Sequence, residues 1–135
     1  MPASMMPPLS VTALLVVGLG GAIGSVARYS VGVWLAPVTG SFPWATLLVN
    51  VVGAFLIGWL ARVFAAPDAD HLARLALTAG FCGGFTTFST FSAETVQMVQ
   101  QGRLKSAALY VAVSLTLGLA ATIAGLAKSP FPSLR

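Results

Sequence analysis

The residues able to do chemistry in this sequence are few, and they gather in the run GFCGGFTTFSTFSAE, from Gly80 to Glu94. The run lies inside a hydrophobic segment but mixes glycines, hydroxyls and phenylalanines, as a continuous membrane helix rarely does. Gly83-Gly84 weakens a helix, because glycine gives up the most backbone entropy and packs no side chain. Thr86 and Thr87 offer side-chain oxygens that cap a new start. The pattern predicts a helix that breaks near Gly83–Thr86 and resumes. In lipid such a break survives only where protein or a water-filled cavity receives the freed backbone groups. Carbonyls ending the first half make a seat for a cation, and N–H groups opening the second half favour an anion. Past the break, Phe88 and Phe91 share one helix face, and Ser89 and Ser92 a neighbouring one. Ring edges are positive, so an aromatic pair beside hydroxyls can accept a small anion edge-on. Each residue singly has a plainer reading, with rings in core or lipid and hydroxyls bonded to their own helix. The combination points to a function.

Composition says what holds this run in place. The chain has 135 residues, of which 57% are hydrophobic and only 7% charged, with mean hydropathy +0.91. Soluble domains carry about a quarter charged residues, so this reads as an all-α integral membrane protein. At about 20 apolar residues per crossing, the length admits four spans, expected near 11–36, 44–63, 72–100 and 104–127, as one domain without a soluble part. The first apolar segment reads as a retained span, since Met1–Ser10 lacks a basic stretch. A net charge of +4 would hint at nucleic acid in a soluble protein. Here the basic residues stand at segment ends, where topology and lipid headgroups place them, and no nucleic acid is expected. One cysteine and one histidine exclude a disulfide framework, a cysteine metal cluster and a nucleophile–base pair, so no enzyme is expected.

The other spans supply companions. Gly20 and Gly24 on the first, and Ala54 and Gly58 on the second, are spaced for close helix approach. Arg28 either snorkels to the interface or draws anions toward a vestibule. Asn50 is the strongly polar interior residue of the second span, and serves as interhelical glue or as part of a polar path. On the fourth span Tyr110, Ser114, Gly118 and Thr122 recur every four residues as one slowly drifting stripe, the wall of a path. His71, beside Asp68 and Asp70, reads as a solvated loop residue. Glu94 is either an intramembrane proton carrier or, as its nearness to QMVQQGR favours, a residue near the interface.

Four spans put Arg62, Arg74, Lys128 and Arg135 on one side, against Arg103, Lys105 and Arg28 on the other. So small a bias lets the chain insert either way round. The small-residue faces imply partners, because four helices around their own core leave little room for a conduit.

These residues resemble the small bacterial fluoride-channel family, Fluc or CrcB. The likeness rests on GGAIGSVARY (Gly20–Tyr29), TLLVNVVGAFLIG (Thr46–Gly58) and GFCGGFTTFSTFSAET (Gly80–Thr95), and continues more loosely from Tyr110 to Gly118. It implies a passive, fluoride-selective channel of the bacterial inner membrane that exports fluoride and so limits its toxicity. It also implies an antiparallel, dual-topology homodimer with four spans per subunit, the third broken near its middle, and two pores. The resemblance assigns fluoride-pore positions to Asn50, Phe88, Phe91, Tyr110 and Ser114, and a structural sodium at the dimer centre to the backbone carbonyls of Gly83 and Thr86. Ser89 and Thr90 add hydroxyl donors, and Arg28 stands toward the vestibule. Gly118 departs from members with a further hydroxyl there, and Phe85 and Ala45 replace the usual leucine and frequent glycine. Neutral donors suit fluoride, because a pore must replace its water with close donors yet hold it weakly. A proton-coupled efflux transporter of similar build, working through Glu94, is the alternative. A non-conducting assembly subunit would leave the Gly80–Glu94 run without a reason.

Overall fold

A computed structural model describes residues 10–127, and everything in that range is helix, turn or loop. Of the stretch Met1–Ser10, residues 1–9 lie outside the described residues, as do Lys128 and Arg135. Helix α1 covers Val11–Thr39, and its N-cap Ser10 accepts the Ala13 N–H at 3.1 Å. It continues past Pro37, where the sequence predicts an end. A proline two residues from the terminus breaks only one ladder bond, to the carbonyl four residues back, and leaves the helix in register. Gly40, at φ 54°, ends it in a conformation that favours glycine. Helix α2 covers Trp44–Val63. Asp70 caps α3 (His71–Leu75) by accepting the N–H groups of Leu72 and Ala73 at 2.9 and 3.0 Å. A π-helical stretch, Ala76–Cys82, leads into α4 (Gly83–Phe85). Two extended residues follow, then α5 (Phe88–Gln100) and α6 (Leu104–Ala127).

Two seams hold the fold together. Along the first, α1 packs on the π-helical stretch and α4. A Cβ on Gly24 would lie 2.2 Å from the Phe81 carbonyl oxygen, so only glycine allows this approach, and Gly20 meets the Ala76 carbonyl in the same way. Along the second, α2 packs on α6, with Gly58 laid against the Thr122 carbonyl. Gly118 has open space around it, so its smallness is not needed for packing within the subunit. A small core of Leu47, Met98, Ala107 and Tyr110, edged by Phe42, Val51, Phe91 and Val113, joins α2, α5 and α6.

Most large apolar side chains point outward, among them Leu14, Leu19, Ile23, Trp34, Leu115, Leu119 and Ile123. A water-soluble fold would hide such rows. Helices α1, α2 and α6 are long and apolar enough to cross a membrane. Helix α5 alone is not: 13 residues at about 1.5 Å each give about 20 Å, short of the roughly 30 Å hydrocarbon layer.

Candidate functional site

The site is built around the interruption between α4 and α5. Thr86 (φ −83°, ψ 160°) and Thr87 (φ −151°, ψ 110°) are extended. The break thus falls at Thr86–Thr87 rather than across Gly83 and Gly84, which stay helical. The reason is tertiary: Gly84 is used for contact with α1, where a Cβ would lie 2.3 Å from the Gly21 carbonyl oxygen. At the break itself, Asn50 clamps Thr87 from both sides. Its Oδ1 accepts the Thr87 N–H at 2.8 Å and its Nδ2 donates to the Thr87 carbonyl at 3.1 Å. The Thr87 hydroxyl oxygen then caps α5 by accepting the Thr90 N–H at 3.1 Å.

These bonds decide which carbonyls lose their usual partners. In an unbroken helix Gly83 would accept the Thr87 N–H, Gly84 the Phe88 N–H and Thr86 the Thr90 N–H. The first goes to Asn50 and the third to the Thr87 hydroxyl. The Gly84 carbonyl instead accepts Arg28 Nε at 3.0 Å, with Ser25 Oγ at 3.5 Å. Gly83 is exposed, and the position of its missing Cβ meets nothing nearer than the Thr78 carbonyl oxygen at 4.0 Å. Gly83 and Thr86 share an open groove of about 240 Å³ with Asn50, Gly53 and Cys82.

Past the break the aromatic residues gather. Phe88 and Phe91 have centroids 5.7 Å apart, and Phe91 lies 5.1 Å from Tyr110. Phe88 is 78% exposed, whereas Tyr110 is wholly buried. The Tyr110 hydroxyl donates to Glu94 Oε2 at 2.8 Å, and Thr46 Oγ1 donates to Glu94 Oε1 at 2.8 Å. Glu94 is therefore held between α2 and α6. Ser114 lies one turn beyond Tyr110, and its Oγ is buried without a hydrogen-bond partner. A cleft of about 610 Å³ exposes Arg28, Thr46, Thr87, Thr90 and Glu94, and a second of about 390 Å³ runs from Glu94 to Gln97, Gln101 and Arg103.

This arrangement sets amide and hydroxyl donors beside aromatic rings and leaves the Gly83 and Thr86 carbonyls without their helix partners. Residues 15–126 match the family described as CrcB-like protein, Camphor Resistance (CrcB). The chain is a member of the CrcB family. Among curated relatives named "Fluoride-specific ion channel FluC", that of Rhizobium johnstonii is 50% identical over 115 residues, covering 84% of this chain and 92% of the relative. That of Nitrobacter winogradskyi is 48% identical over 120 residues, with 85% and 93% covered. That of Erythrobacter litoralis is 46% identical over 130 residues, with 91% and 94% covered. With its long apolar helices, this CrcB-family chain is a multi-pass protein of the bacterial cell membrane.

Of the residues singled out from the sequence of this CrcB-family protein, Asn50, Thr90, Phe91 and Tyr110 lie around the break and its adjoining face. Ser89 Oγ stands 3.2 Å from the Thr87 hydroxyl, which also donates to Thr90 Oγ1 at 2.9 Å. Ser92 Oγ donates back to the Phe88 carbonyl of its own helix, as an isolated serine does. Two participants escaped the sequence reading. Thr87 was visible as a cap but not as the residue Asn50 holds, and Thr46 carries no local signal that it meets Glu94. His71 is exposed beside Arg74.

Proposed function

We propose that this chain is one subunit of a passive, fluoride-selective channel that lets fluoride leave the bacterial cytoplasm down its gradient. The observation carrying this reading is the Ser114 hydroxyl, buried and unpartnered, one turn from the Phe91–Tyr110 contact. A buried hydroxyl without a partner costs about 1–3 kcal/mol, and a small anion passing along α6 would relieve it. Asn50, Thr90 and Ser89 add neutral donors, while the Phe88 and Phe91 edges add weak positive potential. The likeness to relatives that bear the fluoride-channel name supports the choice of ion.

In this reading α3 to α5 together form a fourth crossing, interrupted at Thr86–Thr87. Two subunits assemble antiparallel and enclose two pores. The Gly83 and Thr86 carbonyls, deprived of their helix partners and opening on the exposed Gly83 face, would hold a sodium ion shared with the second subunit. There the ion would supply positive charge that keeps two helix ends together. Channel function needs no catalytic residue.

Purified protein in liposomes should pass fluoride electrogenically without a proton gradient and largely exclude chloride; absence of fluoride flux refutes the reading. C-terminal reporters should find molecules in both orientations, and a single orientation would sink the dual topology. Full activity and unchanged assembly after exhaustive sodium removal would argue against the structural cation. A second reading, proton-coupled efflux, draws on the position of Glu94 between two clefts. It requires flux that depends on a proton gradient and disappears in Glu94→Gln.

A further inference from the structure

Gly21, Ser25 and Arg28 follow one another on α1 at intervals of four and three, so they form one stripe. That stripe meets a single residue of α4. Gly84 lies so close to Gly21 that neither helix can move outward without opening the seam. Above that contact, the Gly84 carbonyl receives Arg28 Nε at 3.0 Å, with Ser25 Oγ at the limit of bonding, 3.5 Å. This carbonyl is the one that would close on Phe88 and make α4 and α5 continuous. We propose that Arg28 is a positioning residue: its Nε–H holds the Gly84 carbonyl in place of the Phe88 N–H, and so keeps the break open beside the cleft it lines.

Charge and hydrogen-bond geometry separate here. A guanidinium carries donors in a fixed fork, so Nε can hold the carbonyl while the two terminal nitrogens remain for the cleft. The chain uses arginine on helix carbonyls elsewhere as well: Arg62 Nη1 donates to the Leu126 carbonyl at 2.7 Å. Glutamine has an N–H donor the same number of bonds from the backbone as arginine Nε, but no charge. Lysine keeps the charge and has a methylene at that point. A residue that serves only to draw anions into the cleft tolerates lysine and not glutamine. A residue that latches the break does the reverse.

The test uses full-length Arg28→Gln and Arg28→Lys, each reconstituted for fluoride efflux and examined by amide hydrogen exchange over Phe85–Thr90. Expected is glutamine within about threefold of the parent at saturating fluoride, and lysine slower by about tenfold or more, the scale of one charged hydrogen bond. Exchange at Phe88 should slow in the lysine variant alone, because its N–H can then take the freed Gly84 carbonyl. Lysine equal to or better than glutamine in flux, with unchanged exchange in both, overturns the proposal. Assembly of the glutamine variant alone supports it, and assembly of the lysine variant alone overturns it. If neither assembles, Ser25→Ala decides by exchange over the same peptide: slower exchange at Phe88 supports the latch, unchanged or faster exchange overturns it. The flux arm rests on the fluoride reading, but the exchange arm does not. A parent protein without fluoride flux would thus remove that reading and leave the latch to be judged by exchange.

Discussion

The two sides of the interruption are built on opposite principles. Before it, the π-helical stretch and α4 press glycine-close on α1, with Gly80, Cys82 and Phe85 buried and backbone against backbone. After it, α5 buries only Met98 among its residues and packs on α6 through rings and hydroxyls. The first half is held by shape and the second by polar and aromatic contacts. Dispersion at such close range is rigid and intolerant of volume, whereas donors and ring edges can exchange one partner for another. A conducting path needs the second kind of surface and a rigid first kind to carry it.

Asn50→Leu should erase the distinction most completely. It strips partners from both the Thr87 N–H and carbonyl, at about 1–3 kcal/mol for each group. We expect a fluoride flux loss of about a hundredfold or failure to assemble, read by liposome efflux and size-exclusion chromatography. A well-assembled Asn50→Leu protein with parental flux would show that the clamp does not hold the break.

The packed half is probed by a pair of glycines. Gly24→Ala should destabilise by about 1–3 kcal/mol, as overpacking does, because its new Cβ meets the Phe81 carbonyl. Gly83→Ala, with open space in the subunit, should leave the subunit's helicity intact and weaken only the proposed dimer. Thermal melts by circular dichroism and cross-linking separate the two outcomes. Equal effects of both changes on subunit melting would dissolve the contrast.

Phe88→Ile and Phe91→Ile test the polar half. Each removes a ring quadrupole while keeping much of the bulk, so flux should fall by about tenfold, the equivalent of about 1.4 kcal/mol. The melting cost should be confined to Phe91, which touches Tyr110, since Phe88 is exposed. Methionine at either position should retain more flux than isoleucine. Normal flux in folded isoleucine variants removes the aromatic-ligand role.

Thr86→Ser should do least. It keeps the hydroxyl that donates to the Cys82 carbonyl at 2.9 Å and loses only the methyl laid over Gly53. A methyl group is worth about 0.8 kcal/mol when buried, so melting should shift slightly and flux remain near the parent's. A severe loss would mean that the Thr86 side chain, and not its backbone, does the work at the break.

Much of this was legible beforehand. Membrane residence, helical class and the existence of an interruption follow from composition and from glycine and threonine inside an apolar run, because hydration and backbone entropy act residue by residue. The neutral donors and rings were visible for the same reason: their chemistry is local. Tertiary structure alone decided three further points. The break moved to Thr86–Thr87 because Gly84 was claimed by Gly21 on another helix. Asn50 became a backbone clamp, because the Thr87 N–H and carbonyl that want partners are supplied by a segment 37 residues away. Glu94 gained two partners, because Thr46 and Tyr110 converge on its carboxylate from two different helices. A sequence states which groups need partners, but packing decides which partner is within reach.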